Sequence, residues 1–125
     1  MAESDLLYSE ITRKIIGSAM EVHANLGCGF LESVYEEALS IEFNIQKINY
    51  ERQKEIDVFY KGKVAKHLLC DFLVEGNVLV EIKALKQLTA VEEAQLLNYL
   101  KASEINLGLL INFGEKSLKY KRLVF

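Results

Sequence analysis

The stretch "DFLVEGNVLVEIKA" (residues 71–84) reads as two apolar runs folded back on each other around Glu75-Gly76-Asn77. β-branched and aromatic residues fill both runs, and the glycine-asparagine pair is turn chemistry, so a β-hairpin is expected. Register decides what that hairpin can do. With pairing centred on Gly76, Phe72, Val74, Val78, Val80 and Ile82 share one face, and Asp71, Leu73, Leu79, Glu81 and Lys83 share the other. A shift of one residue, as a two-residue turn would require, scatters charge onto both faces. Such a slip is costly wherever a face is buried, so the segregating register is expected, helped by a bulge if needed.

In that register Asp71 and Glu81 stand opposite each other, with Cβ atoms roughly 5 Å apart. Like charges so placed repel unless a proton or a cation lies between them. Lys83 shares their face and supplies part of the compensation. A divalent ion would supply more, since both carboxylates can give oxygens to one Mg²⁺ or Mn²⁺. A Lys83–carboxylate salt bridge on a solvent-exposed face accounts for the same residues without an ion, and the residue types leave both readings open.

Outward from the hairpin, apolar residues recur at helical spacing through residues 5–25 (Tyr8, Ile11, Ile15, Ala19, Val22, Leu26), with Ser4 as N-cap. Gly27-Cys28-Gly29 breaks that helix. A second helix is expected from Leu31 to Gln46, burying Val34, Ala38, Ile41 and Ile45. Tyr50 to Tyr60 and Val64 to Val74 alternate as strands about a Lys61-Gly62-Lys63 turn, and Val78 to Ala84 makes a third. Thr89 with Glu92 is a capping-box signature for a helix running to Ala102. Ile105 to Phe113 reads as a buried strand and Leu118 to Phe125 as an edge strand. The fold class is therefore α/β: two N-terminal helices, a three-stranded antiparallel meander, a helix and further strands in a mixed sheet.

The chain has 125 residues, half of them hydrophobic and about a quarter charged, which suits a single domain spanning 1–125. Glu3 and Asp5 occupy the place where a signal peptide carries positive charge, and no apolar run approaches the ~20 residues that span a bilayer. Cys28 and Cys70 match no metal spacing and read as free thiols in a reducing cytoplasm. A formal net charge of −3 argues against a broad basic face for nucleic acid. Lys61, Lys63 and Lys66 nevertheless crowd one turn, and Lys116, Lys119, Lys121 and Arg122 crowd the C-terminal end. These clusters suit either a solvated or protected sheet edge or a phosphate track. His23 reads as a packing or hydrogen-bonding residue near its helix end, and His67 as a surface residue.

Gln95 and Tyr99 stand four apart and lie on one helix face. Glu32 sits in the first turn of the second helix, where the dipole favours a carboxylate whether or not it is functional. Taken together, Asp71, Glu81-Ile82-Lys83 and Gln95-x-x-x-Tyr99 resemble the PD-(D/E)xK nuclease superfamily, in the branch whose ExK strand is followed by a QxxxY helix. Gly29-Phe30-Leu31-Glu32-Ser33-Val34-Tyr35 resembles the motif that names the GxxExxY protein family, as do the flanking "IIGSAMEVHANLG", "EAQLLNYLK" and "GLLINFG". The resemblance runs from Ile11 to Val124. The chain departs from it with Leu69 where an arginine often stands, and with Cys28 between the two glycines where a proline is usual.

That resemblance implies a restriction-endonuclease-like core that hydrolyses phosphodiester bonds in nucleic acid, DNA in preference to RNA. Glu32, Asp71 and Glu81 are implied to hold one or two Mg²⁺ or Mn²⁺ ions with the backbone carbonyl of Ile82. Lys83 is implied to position or activate the attacking water, Gln95 to orient the site, and Tyr99 to brace it or touch substrate. A non-catalytic relative that keeps the scaffold and binds nucleic acid or protein is the alternative, and a structural module with interface salt bridges is a third reading. A small nuclease core gains grip on duplex DNA from a second copy, so a homodimer is an expectation to test.

Overall fold

The hairpin adopts the register centred on Gly76: Phe72 pairs with Val80, Leu73 with Leu79 and Val74 with Val78. The structure is a computed structural model and describes residues 8–125, so the expected cap at Ser4 lies outside the described residues. In chain order the elements are α1 (Ser9–Leu26), α2 (Glu32–Ile45), β1 (Tyr50–Tyr60), β2 (Lys63–Val74), β3 (Val78–Lys83), α3 (Ala90–Ser103), β4 (Leu107–Asn112) and β5 (Lys119–Val124). The five strands form one sheet in sequence order. β1, β2 and β3 make the antiparallel meander, α3 carries the chain over to β4, which runs parallel to β3, and β5 closes antiparallel on β4. This is the α/β architecture expected from the sequence.

The purely apolar hairpin face (Phe72, Val74, Val78, Val80, Ile82) packs against α1 and α2, where Ile15, Ala19, Val22, Tyr35, Leu39 and Phe43 are buried. The α1 stripe is the one the spacing predicts. The α2 stripe is not: Ile41 and Ile45 are 52% and 65% exposed, and Tyr35, Leu39 and Phe43 turn inward instead. Aromatic packing explains the correction. Tyr35 stacks on Phe113 with centroids 4.8 Å apart, and Phe43 meets Phe72 edge-on at 5.3 Å. The Tyr35 hydroxyl also donates to the Gly27 carbonyl at 2.6 Å. Two large rings bury more area than the aliphatic stripe offers, so the helix is turned by one residue, or ~100°.

The opposite face carries α3, whose Leu96, Tyr99 and Leu100 pack on Leu73, Leu79 and Leu110. Its start is fixed by the expected capping box: Thr89 N–H donates to Glu92 Oε1 at 2.7 Å, and Val91 N–H donates to Thr89 Oγ1 at 3.2 Å. Gly114, just past β4, lies against the segment that follows β3. A Cβ there would come within 2.3 Å of the Leu85 carbonyl oxygen, so only glycine lets the two chains close up.

One irregularity positions the site. Phe72 packs with α1 and α2, whereas Cys70 and Ile56 pack with α3, although Phe72 and Cys70 are two apart on one strand. Residues two apart in a regular strand face the same way, so the ribbon rotates between them. The β1–β2 pairing passes from Arg52–Phe72 to Lys54–Cys70 and omits Gln53 and Asp71. Gln53 takes a left-handed backbone with φ 53°, rare for a non-glycine residue inside a strand. Asp71 sits at this twist.

Candidate functional site

The β2–β3 ladder ends at Phe72–Val80, one pair short of Asp71 and Glu81. Side chains take over from the backbone there. Asp71 N–H donates to Glu81 Oε1 at 3.0 Å, and Ile82 N–H donates to Asp71 Oδ2 at 2.8 Å. Each carboxylate thus satisfies an amide of the other's strand, and each keeps its second oxygen turned elsewhere. Asp71 Oδ1 lies 3.5 Å from Gln53 Nε2, and Glu81 Oε2 lies 3.8 Å from Lys83 Nζ. Glu81 is 5% exposed. Burial, then the Asp71 charge, pushes its pKa up to about 8, against the opposing pull of the Asp71 N–H and of Lys83. The cross-strand pair expected from the sequence is present, and the two carboxylates stay in side-chain contact while each also binds an amide of the other's strand.

A relay leads away from the pair. Lys83 Nζ donates to Gln95 Oε1 at 2.8 Å, and Gln95 Nε2 donates to Tyr99 Oη at 3.0 Å. The helical spacing of Gln95 and Tyr99 makes this possible, and α3 lies across the strand end that holds Lys83. The Tyr99 phenol is raised to about 12, first by burial and then by the Glu81 charge. It therefore stays neutral at any ordinary pH. Ile82 itself is buried with the α1–α2 face, its amide committed to Asp71.

Glu32 opens α2 and is solvent-exposed on its outer side, yet burial of its carboxyl leads the causes that raise its pKa. The charge of Asp71 raises it further, Lys83 lowers it, and Glu36 raises it again, so all three lie within electrostatic reach. Glu36 is a member of the cluster that the sequence reading missed. It receives Arg52 Nε at 2.8 Å and Gln53 Nε2 at 2.8 Å, while Arg52 Nη1 reaches Glu37 at 2.6 Å. Burial raises the Glu36 pKa first, the Arg52 hydrogen bond lowers it, and a carboxyl contact with Asp71 raises it. The available signal was spacing: Glu36 is four residues after Glu32 and shares its helix face.

Further along β1 and β2, on the arm these two strands form towards the Lys61-Gly62 turn, lies a second group. His67 Nδ1 sits 2.6 Å from Asp57 Oδ1 and 3.1 Å from Glu55 Oε1. Among the described residues, this is the group of three metal-ligating side chains whose donor atoms all lie within 4.8 Å of one another. Glu32, Asp71 and Glu81 do not form so tight a group. His67 is a surface residue, as expected, but it is also partnered: the hydrogen bond and charge of Asp57 raise its pKa. His23 is a hydrogen-bonded core residue, with Nε2 2.9 Å from the Glu115 carbonyl and its ring tilted against Phe113. Cys28 and Cys70 are free thiols, exposed and buried respectively. No helix among the described residues is long and apolar enough to cross a membrane.

The donor set is made of hard oxygens, two of them on carboxylates whose other oxygen is already anchored to backbone. That chemistry fits Mg²⁺ or Mn²⁺ better than a soft metal. A family model described as the PD-(D/E)XK nuclease superfamily matches residues 9–123. The solved crystal structure of SSO0001 is similar with a TM-score of 0.61 at 19% sequence identity. The match covers 93% of this chain but 58% of that one, so the chain spans little more than half its length. No curated protein matches the chain.

Proposed function

Since the chain belongs to the PD-(D/E)XK nuclease superfamily, we propose that it is a divalent-metal-dependent nuclease that hydrolyses phosphodiester bonds in nucleic acid, DNA before RNA. We read it as a single domain over residues 1–125, cytoplasmic, in the GxxExxY branch that carries a QxxxY helix. The observation that carries the reading is the crossed anchoring of Asp71 and Glu81 at the broken end of the β2–β3 ladder. Two adjacent acids whose second oxygens have only long contacts, to Gln53 at 3.5 Å and Lys83 at 3.8 Å, make poor sense as packing and good sense as half of a cation site.

Asp71, Glu81 and the Ile82 carbonyl would hold Mg²⁺ or Mn²⁺, with Glu32 closing the site from α2. The ion, when bound, supplies positive charge to the phosphoryl oxygens and lowers the pKa of a coordinated water. Everything else is the work of the chain. Gln95 fixes the Lys83 ammonium by accepting one of its protons at 2.8 Å. Lys83 keeps two more N–H donors to hold a water or a non-bridging phosphate oxygen and to meet the charge that develops there. Tyr99 holds the Gln95 amide in the orientation that presents its oxygen to Lys83. Glu32 and Glu36 concentrate negative charge at the mouth, which favours a cation before an anionic substrate.

The test is incubation of the purified chain with single- and double-stranded DNA and RNA in Mg²⁺, Mn²⁺ or EDTA. Products that vanish in EDTA and in Lys83→Ala support the reading. Binding without cleavage under every metal would replace it with the non-catalytic alternative.

A further inference from the structure

A groove of about 970 Å³ runs between the β1–β2 arm and α3, at the upper end of the ~300–1,000 Å³ typical of small-molecule sites. Its lining includes Gln95, which accepts from Lys83, and Tyr99, which accepts from Gln95. Its walls are mostly apolar (Phe59, Leu68, Val91), with the Asn98 amide on the same helical side as Gln95. Phe59 is 64% exposed and its neighbour Tyr60 66%, an unusual outlay of aromatic surface at the end of an arm. Lys61, Lys63 and Lys66 follow at once in sequence, and Lys61 Nζ lies 5.4 Å from the centre of the Tyr60 ring. From Gln53, opposite Asp71, to Phe59 is six residues of strand, or about 20 Å. The arm's tip therefore carries the aromatic and cationic side chains, Glu55 and Asp57 lie between it and the acidic site along β1, and the groove spans the interval from Phe59 to Gln95 and Tyr99.

We propose that this arm and groove bind single-stranded nucleic acid, with an unstacked base received against Phe59 and the strand's phosphates tracked by Lys61, Lys63 and Lys66 towards Lys83. The proposal rests on the nuclease reading of the acidic site and names its substrate. Stacked bases in a duplex keep their faces covered and cannot enter a groove walled by Phe59, Leu68 and Val91, whereas a single strand offers those faces freely. Continuity chooses this occupant over others. A strand lying in the groove passes directly over Gln95 and Tyr99 and brings its backbone to the site. Asp57, on the groove's flank, has its charge engaged by His67 at 2.6 Å.

Fluorescence anisotropy of a labelled single-stranded DNA of about 12 nucleotides, within the ~4–16 that such sites occupy, against the same sequence as duplex, tests it. Binding is read in EDTA, so the measurement does not depend on turnover. The full chain should prefer the single strand. Phe59→Ala should weaken that binding about tenfold, the scale of one lost base–aromatic stack. Lys61→Ala/Lys63→Ala should weaken it further and flatten its salt dependence. Phe59 is exposed, so its variant should melt as the wild type does, and circular dichroism checks this. Unchanged single-strand affinity in both variants, with cleavage still lost in Asp71→Asn, overturns the groove while the nuclease reading stands. Single-strand binding lost in Phe59→Ala, from a wild type that cleaves nothing, supports the groove and sinks the nuclease. A switch from dimer to monomer in Phe59→Ala, with no effect on nucleic acid, overturns the proposal in favour of a second copy in the groove.

Discussion

Asp71 and Glu81 each accept a hydrogen bond from the other's strand, Glu81 from the Asp71 amide at 3.0 Å and Asp71 from the Ile82 amide at 2.8 Å. The two acids thus replace the ladder rung they interrupt. The backbone amides stay satisfied, so the cost of breaking the sheet falls on the carboxylates alone, which are held close together in a buried place. A site built this way should be less stable empty than filled.

Glu81→Gln tests that cost directly. The folded pKa of Glu81, about 8, lies above its ordinary value of 4.5. The native state therefore holds an extra proton between those two pH values, and stability falls as pH rises through that window. Glutamine keeps an oxygen for the Asp71 amide without the charge. In EDTA the variant should be more stable than wild type at pH 8, by on the order of a few kcal/mol. The gain should fade towards pH 4.5, as read by urea denaturation across pH. Equal stabilities at pH 8 would show that Glu81 bears no burden.

Metal should reverse the sign. At neutral pH a cation must displace the Glu81 proton, so apparent affinity should rise between pH 6 and pH 8 and proton release should accompany binding. A hundredfold excess of Mg²⁺ or Mn²⁺ over Kd should stabilise wild type by about 2.7 kcal/mol. Asp71→Asn and Glu81→Gln should gain little. Calorimetry in two buffers of different ionisation heat separates proton release from metal binding.

Lys83 and Gln95 should differ in degree. Lys83→Ala removes the only side-chain cation hydrogen-bonded to Gln95 among the described residues, and cleavage should fall by about 10²–10³-fold, the scale of a lost electrostatic donor. Gln95→Ala leaves the ammonium present but unfixed, so a loss of about ten- to a hundredfold is expected, mostly in kcat. Tyr99→Phe should lie closer to wild type, because it only removes the acceptor that steadies the Gln95 amide. Single-turnover cleavage rates rank the three, and an equal loss in all would contradict the relay.

Much of this was legible from the chain. The hairpin register followed from alternation about Gly76, because one face had to be wholly apolar to sit on α1 and α2. Gln95 and Tyr99 were legible because a helix fixes its own spacing. The rotation of α2 was not, since it depends on Tyr35 meeting Phe113, and the two lie far apart in sequence. With that rotation came Glu36, whose role depends on partners in β1. The pairing of His67 with Asp57 needed the β1–β2 register in hand. Nothing in the residue string marks Gln53 as left-handed, because the twist there arises from how two packed faces meet.

Gln53 supplies the sharpest reversal. Inside a strand, alanine is normally better than glycine by roughly 0.5–1 kcal/mol, because glycine loses more backbone freedom on folding. At φ 53°, however, any Cβ costs about 1–2 kcal/mol in steric strain, and glycine has none. Gln53→Gly should therefore be more stable than Gln53→Ala by up to about 1 kcal/mol, opposite to the usual order. Both variants lose the amide that stands 2.8 Å from Glu36 and 3.5 Å from Asp71. Both should therefore bind Mn²⁺ more weakly than wild type by a similar factor, since the Glu36 and Asp71 carboxylates are no longer fixed by the amide and must be ordered on binding. Denaturant melts give the stability order and Mn²⁺ titration gives the affinity. Alanine more stable than glycine would mean the backbone at Gln53 is not held left-handed. Unaltered Mn²⁺ affinity in both would mean the amide does not position the acids.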